Sequence, residues 1–214
     1  MNAHEFGALL TLATATSFTP GPNTTLSTAL AANFGLRHAL RFVFAVPVGW
    51  TLLLGLCSAG VGAVVLAAPL LRGAILLGGV GYLLWLAWRL AGSRSLSQMP
   101  AHTLHITFWR GVGLQFLNIK AWMLALSIVA GWIAGQADAW QRLAVVAPVL
   151  MAYAFASNLT YALVGSVLRH WLAGPLVDGQ PTGRRLRTFN RGMALALVLT
   201  AGWILMTGLG RTTT

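Results

Sequence analysis

The stretch Thr19-Pro20-Gly21-Pro22-Asn23-Thr24-Thr25 decides the fold. It lies inside the first long apolar segment of the chain, which runs from about residue 6 to residue 34. Two prolines flanking a glycine deny the backbone its regular hydrogen bonds. Pro22 suits the first position of a new helix, where its missing N–H is surplus. A second polar interruption, Asn118-Ile119-Lys120, falls inside the fourth apolar segment. In hydrocarbon each unsatisfied backbone group costs several kcal/mol, so irregular backbone at membrane depth survives only inside protein or beside a watery cavity. Broken helices in corresponding positions of two halves point to a transporter site.

The composition around these breaks is that of a membrane protein. Of 214 residues, 57% are hydrophobic and 8% are charged, against roughly 25% charged in a soluble domain. Mean hydropathy is +0.74. The net charge of +11 does not point to nucleic acid, because the bases are scattered between apolar segments and form no single basic face. The lone cysteine, Cys57, allows neither an internal disulfide nor a CxxC redox pair. Glu5 and the lack of Lys or Arg before the first apolar run are the wrong flank for a cleaved signal peptide.

Six apolar segments can be drawn, at about 6–34, 42–66, 70–90, 111–133, 143–168 and 193–209. Each is near the roughly 20 residues that cross a bilayer. The expected fold is therefore all-α and integral to the membrane, a single polytopic domain over residues 1–214. The first segment is overlong for one straight helix and is expected to be kinked or partly re-entrant. Loops 1–2, 3–4 and 5–6 with their flanks hold ten bases, among them Arg37, Arg94 and Arg187, while the opposite side holds three, Arg72, Arg142 and Arg211. By the positive-inside rule this puts those three loops in the cytoplasm and both termini outside. The fourteenth base, Lys120, belongs to neither side.

Three spans precede the 3–4 loop and three follow it, so the halves would be inverted with respect to each other. Each half opens with a disrupted helix carrying an asparagine, Asn23 or Asn118, and closes with a glycine-bearing apolar helix. A 3+3 inverted repeat is the expectation. Gly131 and Gly135 have GxxxG spacing, which lets backbones approach closely. The expectation there is packing within the chain, with a homodimer contact as the alternative. Trp85, Trp88, Trp109 and Trp171 lie near span ends and fit an interfacial belt.

The candidate binding residues follow from the breaks. Freed carbonyls around Pro20, Gly21 and Pro22, the half-helix N-terminus and the Asn23 amide can face a polar ligand, and such a terminus attracts a carboxylate. Thr24 either lines the same point or caps the half-helix. Lys120 is the only ionisable residue well inside a span. It would hold a substrate carboxylate, exchange a proton or snorkel to an interface. Asn118 would satisfy backbone around the second break. In the fifth segment Asn158 is too polar to face lipid and either lines the pathway or bonds a neighbouring helix. Gln115 is a weaker candidate of the same kind. No catalytic residue, metal site or cofactor is expected. The three acids, Glu5, Asp138 and Asp178, and the five histidines lie at segment ends or in loops, and the close pair His102 and His105 lacks a third metal ligand nearby. There is no phosphate-binding Walker loop.

Several stretches together resemble the LysE/RhtB family of bacterial amino-acid exporters. They are Thr19 to Asn23, Ala32-Asn33-Phe34-Gly35, Gly81 to Arg89, Leu114 to Lys120, and Asn190-Arg191-Gly192. Many family members read Asn-Pro-Lys where this chain has Asn118-Ile119-Lys120. The missing proline weakens the case for a sharply broken fourth helix. It makes the chain similar to the cysteine/O-acetylserine exporter branch, as do Ser157-Asn158-Leu159 and Tyr161-Ala162-Leu163. The resemblance implies secondary efflux of amino acids across the bacterial inner membrane, driven by the proton motive force. The partners would be a small amino-acid substrate and the lipid bilayer, with no nucleic acid. Two alternatives come from other classes. A membrane enzyme would show no solute flux, and a non-transporting subunit would move no solute alone in liposomes.

Overall fold

The computed structural model describes residues 1–92, 106–177, 180–181 and 183–209. Arg94, His102, His105, Asp178 and Arg211 lie outside the described residues. Nine α-helices are found among the described residues. The first apolar segment is two helices, α1 (Ala3–Phe18) and α2 (Pro22–Phe34), with the break at residues 19–21. Asn2 starts α1 through a capping box: its side chain accepts from Glu5 N–H, and the Glu5 carboxylate accepts from Asn2 N–H. Pro22 takes the first turn of α2.

Gly35, at φ +87°, turns the chain from α2 into α3 (Leu36–Ser58) in a conformation that favours glycine. The second expected span is divided: α3 ends at Ser58, Gly60 turns with φ +91°, and a short α4 (Val61–Ala67) follows. Then come α5 (Pro69–Ala91), α6 (Phe108–Phe116) and α7 (Ile119–Ile128), the last running into a π-helical turn at Val129–Ile133. The long helix α8 (Ala139–Ala173) carries Pro148 internally. A two-residue antiparallel ladder, β1 (Leu176–Val177) on β2 (Gln180–Pro181), leads to α9 (Arg184–Leu209), which starts well before the expected sixth span.

By length and apolarity four helices can cross a membrane, namely α3, α5, α8 and α9 up to Met206. The pair of α6 with α7 and its π turn makes a fifth if counted as one span, and it is bent by 68°. The fourth apolar segment is therefore sharply broken without a proline. The six crossings expected from the sequence reduce to four or five on this count, because α1 and α2 are 16 and 13 residues long and neither passes alone.

Burial inverts the usual order. The polar helix α2 is the most enclosed, with Thr24 to Asn33 all buried. It packs against α8, α3 and α9. Meanwhile Leu70, Trp88, Trp109 and Val167 are exposed. Lipid tails are as apolar as leucine, so a polar helix gains most by being shielded from them, and small residues let it approach its neighbours. Gly165 of α8 lies directly against the Thr28 carbonyl of α2, and Gly49 of α3 leaves no room for a Cβ beside the Val112 carbonyl of α6, only 2.6 Å away. These glycines, and not Gly131 with Gly135, make the close approaches. Among the described residues a Cβ on Gly131 or Gly135 would meet nothing within 4 Å, and Gly135 sits in a turn at φ +73°. The expected GxxxG packing within the chain is corrected accordingly.

Candidate functional site

The two breaks meet at one crevice. Gly21, Pro22, Asn23 and Thr24 line it from the first break, Asn118 and Lys120 from the second, and Ser157 and Asn158 from α8. Its free volume is about 90 Å³. Seven of the eight residues expected at the site are thus brought together. Pro20 is exposed and does not line the crevice.

The first break is held from α8. The Ser157 hydroxyl donates to the Ser17 carbonyl, and the Tyr161 hydroxyl donates to the Phe18 carbonyl at 2.9 Å. These are the carbonyls that the end of α1 leaves without an intrahelical partner. Thr24 caps: its hydroxyl accepts from Gly21 N–H at 2.8 Å and donates to the Gly21 carbonyl at 3.0 Å. Asn158 is engaged on both sides, accepting from Ser27 at 2.9 Å and donating to the Ala154 carbonyl at 2.8 Å.

The second break is held differently. The Trp122 indole N–H donates to the Phe116 carbonyl at 2.9 Å. Gly79 of α5 lies against the Leu117 carbonyl, where any side chain would clash. Asn118 has extended backbone and starts α7, accepting at its carbonyl from Ala121 N–H at 2.8 Å. Its side-chain Oδ1 is buried and has no hydrogen-bond partner among the described residues.

The breaks are joined by an amide pair. Asn23 Nδ2 donates to Gln115 Oε1 at 2.8 Å, and Gln115 Nε2 donates back to Asn23 Oδ1 at 3.3 Å. Gln115 is fully buried. Pro22, Asn23 and Asn118 also line a second, smaller and apolar cavity of about 30 Å³.

Lys120 is the charged feature of the crevice. A Cβ placed on Gly21 would lie 3.5 Å from its Nζ, so the ammonium sits against the first break. Among the described residues no acid lines the crevice. The N-termini of α2 and α7 both open onto it, and each adds partial positive charge. The arrangement is built to receive an anion. The described acids are elsewhere: Glu5 and Asp138 both pair with Arg142, at 3.2 Å and 2.7 Å, at the far end of α1. The Arg142 guanidinium hydrogen-bonded to Asp138 holds that carboxyl below its ordinary range.

A second reciprocal amide pair escaped the residue-by-residue reading. Asn33, at the end of α2, and Asn190 of α9 each donate to the other at 2.9 Å, and both are buried. The signal was present, since both asparagines stand in the stretches that carry the family resemblance.

Residues 14–208 match the family model described as LysE type translocator. The chain is 30% identical over 164 residues to the cysteine/O-acetylserine efflux protein of Klebsiella pneumoniae, covering 76% of this chain and 82% of that protein. It is 27% identical over 154 residues to the protein of the same name from Salmonella typhimurium, covering 72% and 78%. No solved structure matches it. With nearly its whole length inside the family match, and with apolar helices long enough to cross a bilayer several times, this chain belongs to the LysE-type translocator family of membrane transporters and is not an enzyme.

Proposed function

We propose that this chain is a six-span secondary exporter that carries small, uncharged amino acids or their derivatives out of the bacterial cytoplasm by alternating access, driven by the proton motive force. One observation carries the reading. The Lys120 ammonium stands in a crevice between two half-helix N-termini with no lining acid to neutralise it. An ionisable group in a membrane span is a functional group by default. A carboxylate is the ligand that this charge and these N–H groups fit. A cationic side chain would find no counter-charge here. The names of the relatives, cysteine and O-acetylserine efflux proteins, agree with a small uncharged substrate.

The packing supports the six-span, inverted-repeat form. Take α1 with α2 as one broken span and α6 with α7 as another. Then α3 corresponds to α8, and α5 to α9. α3 packs on α8 and α5 on α9; α1 on α8 is mirrored by α6 on α3, and α2 on α8 by α7 on α3. A pseudo-two-fold axis in the membrane plane produces such reciprocity. With ten bases against three, both termini would lie outside.

The test is export from amino-acid-loaded cells with and without this protein, tracking the whole external amino-acid pool. Selective, uncoupler-sensitive release of a small neutral class is expected. Lys120→Ala should abolish it while still inserting in the membrane. Full export by that variant would remove Lys120 from the site.

A further inference from the structure

We propose that the end of α8 and the start of α9 form a binding site for the phosphate of an anionic phospholipid, held by Arg184 and Arg185 with the Trp171 ring as its apolar wall. The site shares no residue with the crevice at Lys120. It goes beyond the exporter reading and needs only that the chain spans a membrane.

Four observations carry it. The first is the pocket. Trp171, Leu172, Arg184, Arg185, Thr188 and Phe189 line an open pocket of about 440 Å³, inside the range of about 300–1,000 Å³ that ligand pockets span. Among the described residues no acid lines it. Glu5 and Asp138 gather at Arg142, at the opposite end of α8. The second is the arginine pair. The Arg185 guanidinium lies over the Trp171 ring, 5.0 Å from its centroid, and donates to the Trp171 carbonyl at 3.4 Å. Stacking holds the planar group in place and leaves most of its N–H donors for an anion. Arg184 is exposed, and its guanidinium has no hydrogen bond or ion pair among the described residues. Two guanidiniums on one rim suit a phosphate, whose oxygens an arginine fork grips in pairs. The third is depth. The fifth apolar segment ends at Leu168, so Trp171 lies three residues beyond it, or about 4.5 Å along the helix. The headgroup layer is about 5–7 Å thick on each side of the hydrocarbon. The fourth is the surface that leads to the pocket. Val164, Val167 and Trp171 are exposed at helical spacing on α8, as are Thr188, Leu195 and Leu199 on α9. Acyl chains can lie along these rows while the phosphate sits at the arginines. A zwitterionic headgroup would bring its ammonium to two cations, so the site selects a lipid with net negative charge.

The experiment uses the purified full-length chain in a non-ionic detergent, where no charged bilayer surface attracts the bases in general. Phosphatidylglycerol, phosphatidylethanolamine, glycerol phosphate and inorganic phosphate are added in turn. Bound lipid is counted by native mass spectrometry, and the melting midpoint is followed beside it. Phosphatidylglycerol is expected to bind more tightly than phosphatidylethanolamine and to raise the midpoint, while the two soluble phosphates leave it unchanged. Arginine at a membrane surface contributes about fivefold in affinity, so Arg184→Gln combined with Arg185→Gln should weaken phosphatidylglycerol at least about tenfold. Arg37→Gln combined with Arg41→Gln removes the same charge from another surface, where exposed charges contribute little, and should change binding less than about twofold. If the Arg184 and Arg185 variant does not fold, Arg184→Lys combined with Arg185→Lys keeps the charge but loses the paired grip, and should weaken binding about threefold. Equal losses from the two arginine pairs, or equal binding of the two lipids, overturn the site. Stabilisation by glycerol phosphate or inorganic phosphate that depends on Arg184 and Arg185 overturns the lipid assignment and makes the pocket a site for a soluble anion.

Discussion

The two breaks reach the same end by different means. At the first, the sequence itself forbids a continuous helix: Pro20-Gly21-Pro22 removes donors and stiffens the backbone, and α8 then satisfies the freed Ser17 and Phe18 carbonyls. At the second there is neither proline nor glycine, yet the chain bends by 68° between α6 and α7. There the bend is accommodated by packing. Gly79 makes room on α5 for the Leu117 carbonyl, and the Trp122 indole binds the Phe116 carbonyl. A break in a membrane helix can thus be written locally or be accommodated by packing, provided that every exposed backbone group finds a partner.

The largest effect expected from this contrast is at Gly79. In Gly79→Leu the new side chain would meet backbone at the second break, which cannot swing aside as a flexible side chain can. Overpacking of this kind costs about 1–3 kcal/mol. The variant should lose thermal stability in detergent and lose export. Pro20→Ala at the first break should cost less, since Pro20 is exposed and Pro22 remains. Melting curves showing Pro20→Ala to be the worse variant would break the distinction between a local and a packed break.

That distinction also explains what could be read from the chain alone. Membrane class, the helical nature of the fold, the first break and the placement of Lys120 and Asn23 beside a polar crevice were legible, because each rests on local composition or on a residue type that lipid penalises. The second break was marked too, by Asn118-Ile119-Lys120, but its sharpness was not. The room for the bend is left by Gly79, some forty positions upstream, and no local pattern links that glycine to Leu117. The division of the second segment at Gly60 and the early start of α9 were hidden for a related reason: hydropathy marks apolar stretches, not the ends of helices that extend beyond them. Asn158 is a further case. Its type signalled burial, but only the fold shows that Ser27 and the Ala154 carbonyl use both of its functional ends.

A middle-sized effect compares how the two breaks satisfy their carbonyls. Tyr161→Phe removes one donor at the first, and Trp122→Phe removes one at the second. Hydrogen bonds between membrane helices average about 0.6 kcal/mol and reach about 1.7. Both substitutions should cost an amount in that range by double-mutant analysis of unfolding. A cost at one break only would show that water, and not the side chain, satisfies the other carbonyl.

A smaller effect concerns the end of the first broken span that lies away from its break. That end is tied by Glu5 and Asp138 to Arg142. Asp138 has its carboxyl lowered in the folded state. A carboxylate of that kind contributes stability that is present above its unfolded pKa and is lost as pH falls through its folded value. The acid limb of a stability-against-pH curve should therefore show a loss that Arg142→Gln removes. An identical acid limb in that variant would mean that the cluster does not fasten the first span. The amount is small, because Asp138 is partly exposed and solvent screens the pair.

The smallest effect is the sharpest on the second break. Many members of the family place proline where this chain has Ile119. Here Ile119 is the first residue of α7, the position where a helix does not need the N–H. Asn118 before it has φ −91° and ψ 95°, outside the α region that a following proline disfavours and short of the extended range it prefers. Ile119→Pro should then be close to neutral for folding and should leave the 68° bend in place. The packed break would be one that proline reinforces and does not create. A large loss of stability in Ile119→Pro, measured beside Pro20→Ala, would mean that the Ile119 side chain or its N–H holds the bend, and that this chain breaks its fourth segment in a way of its own.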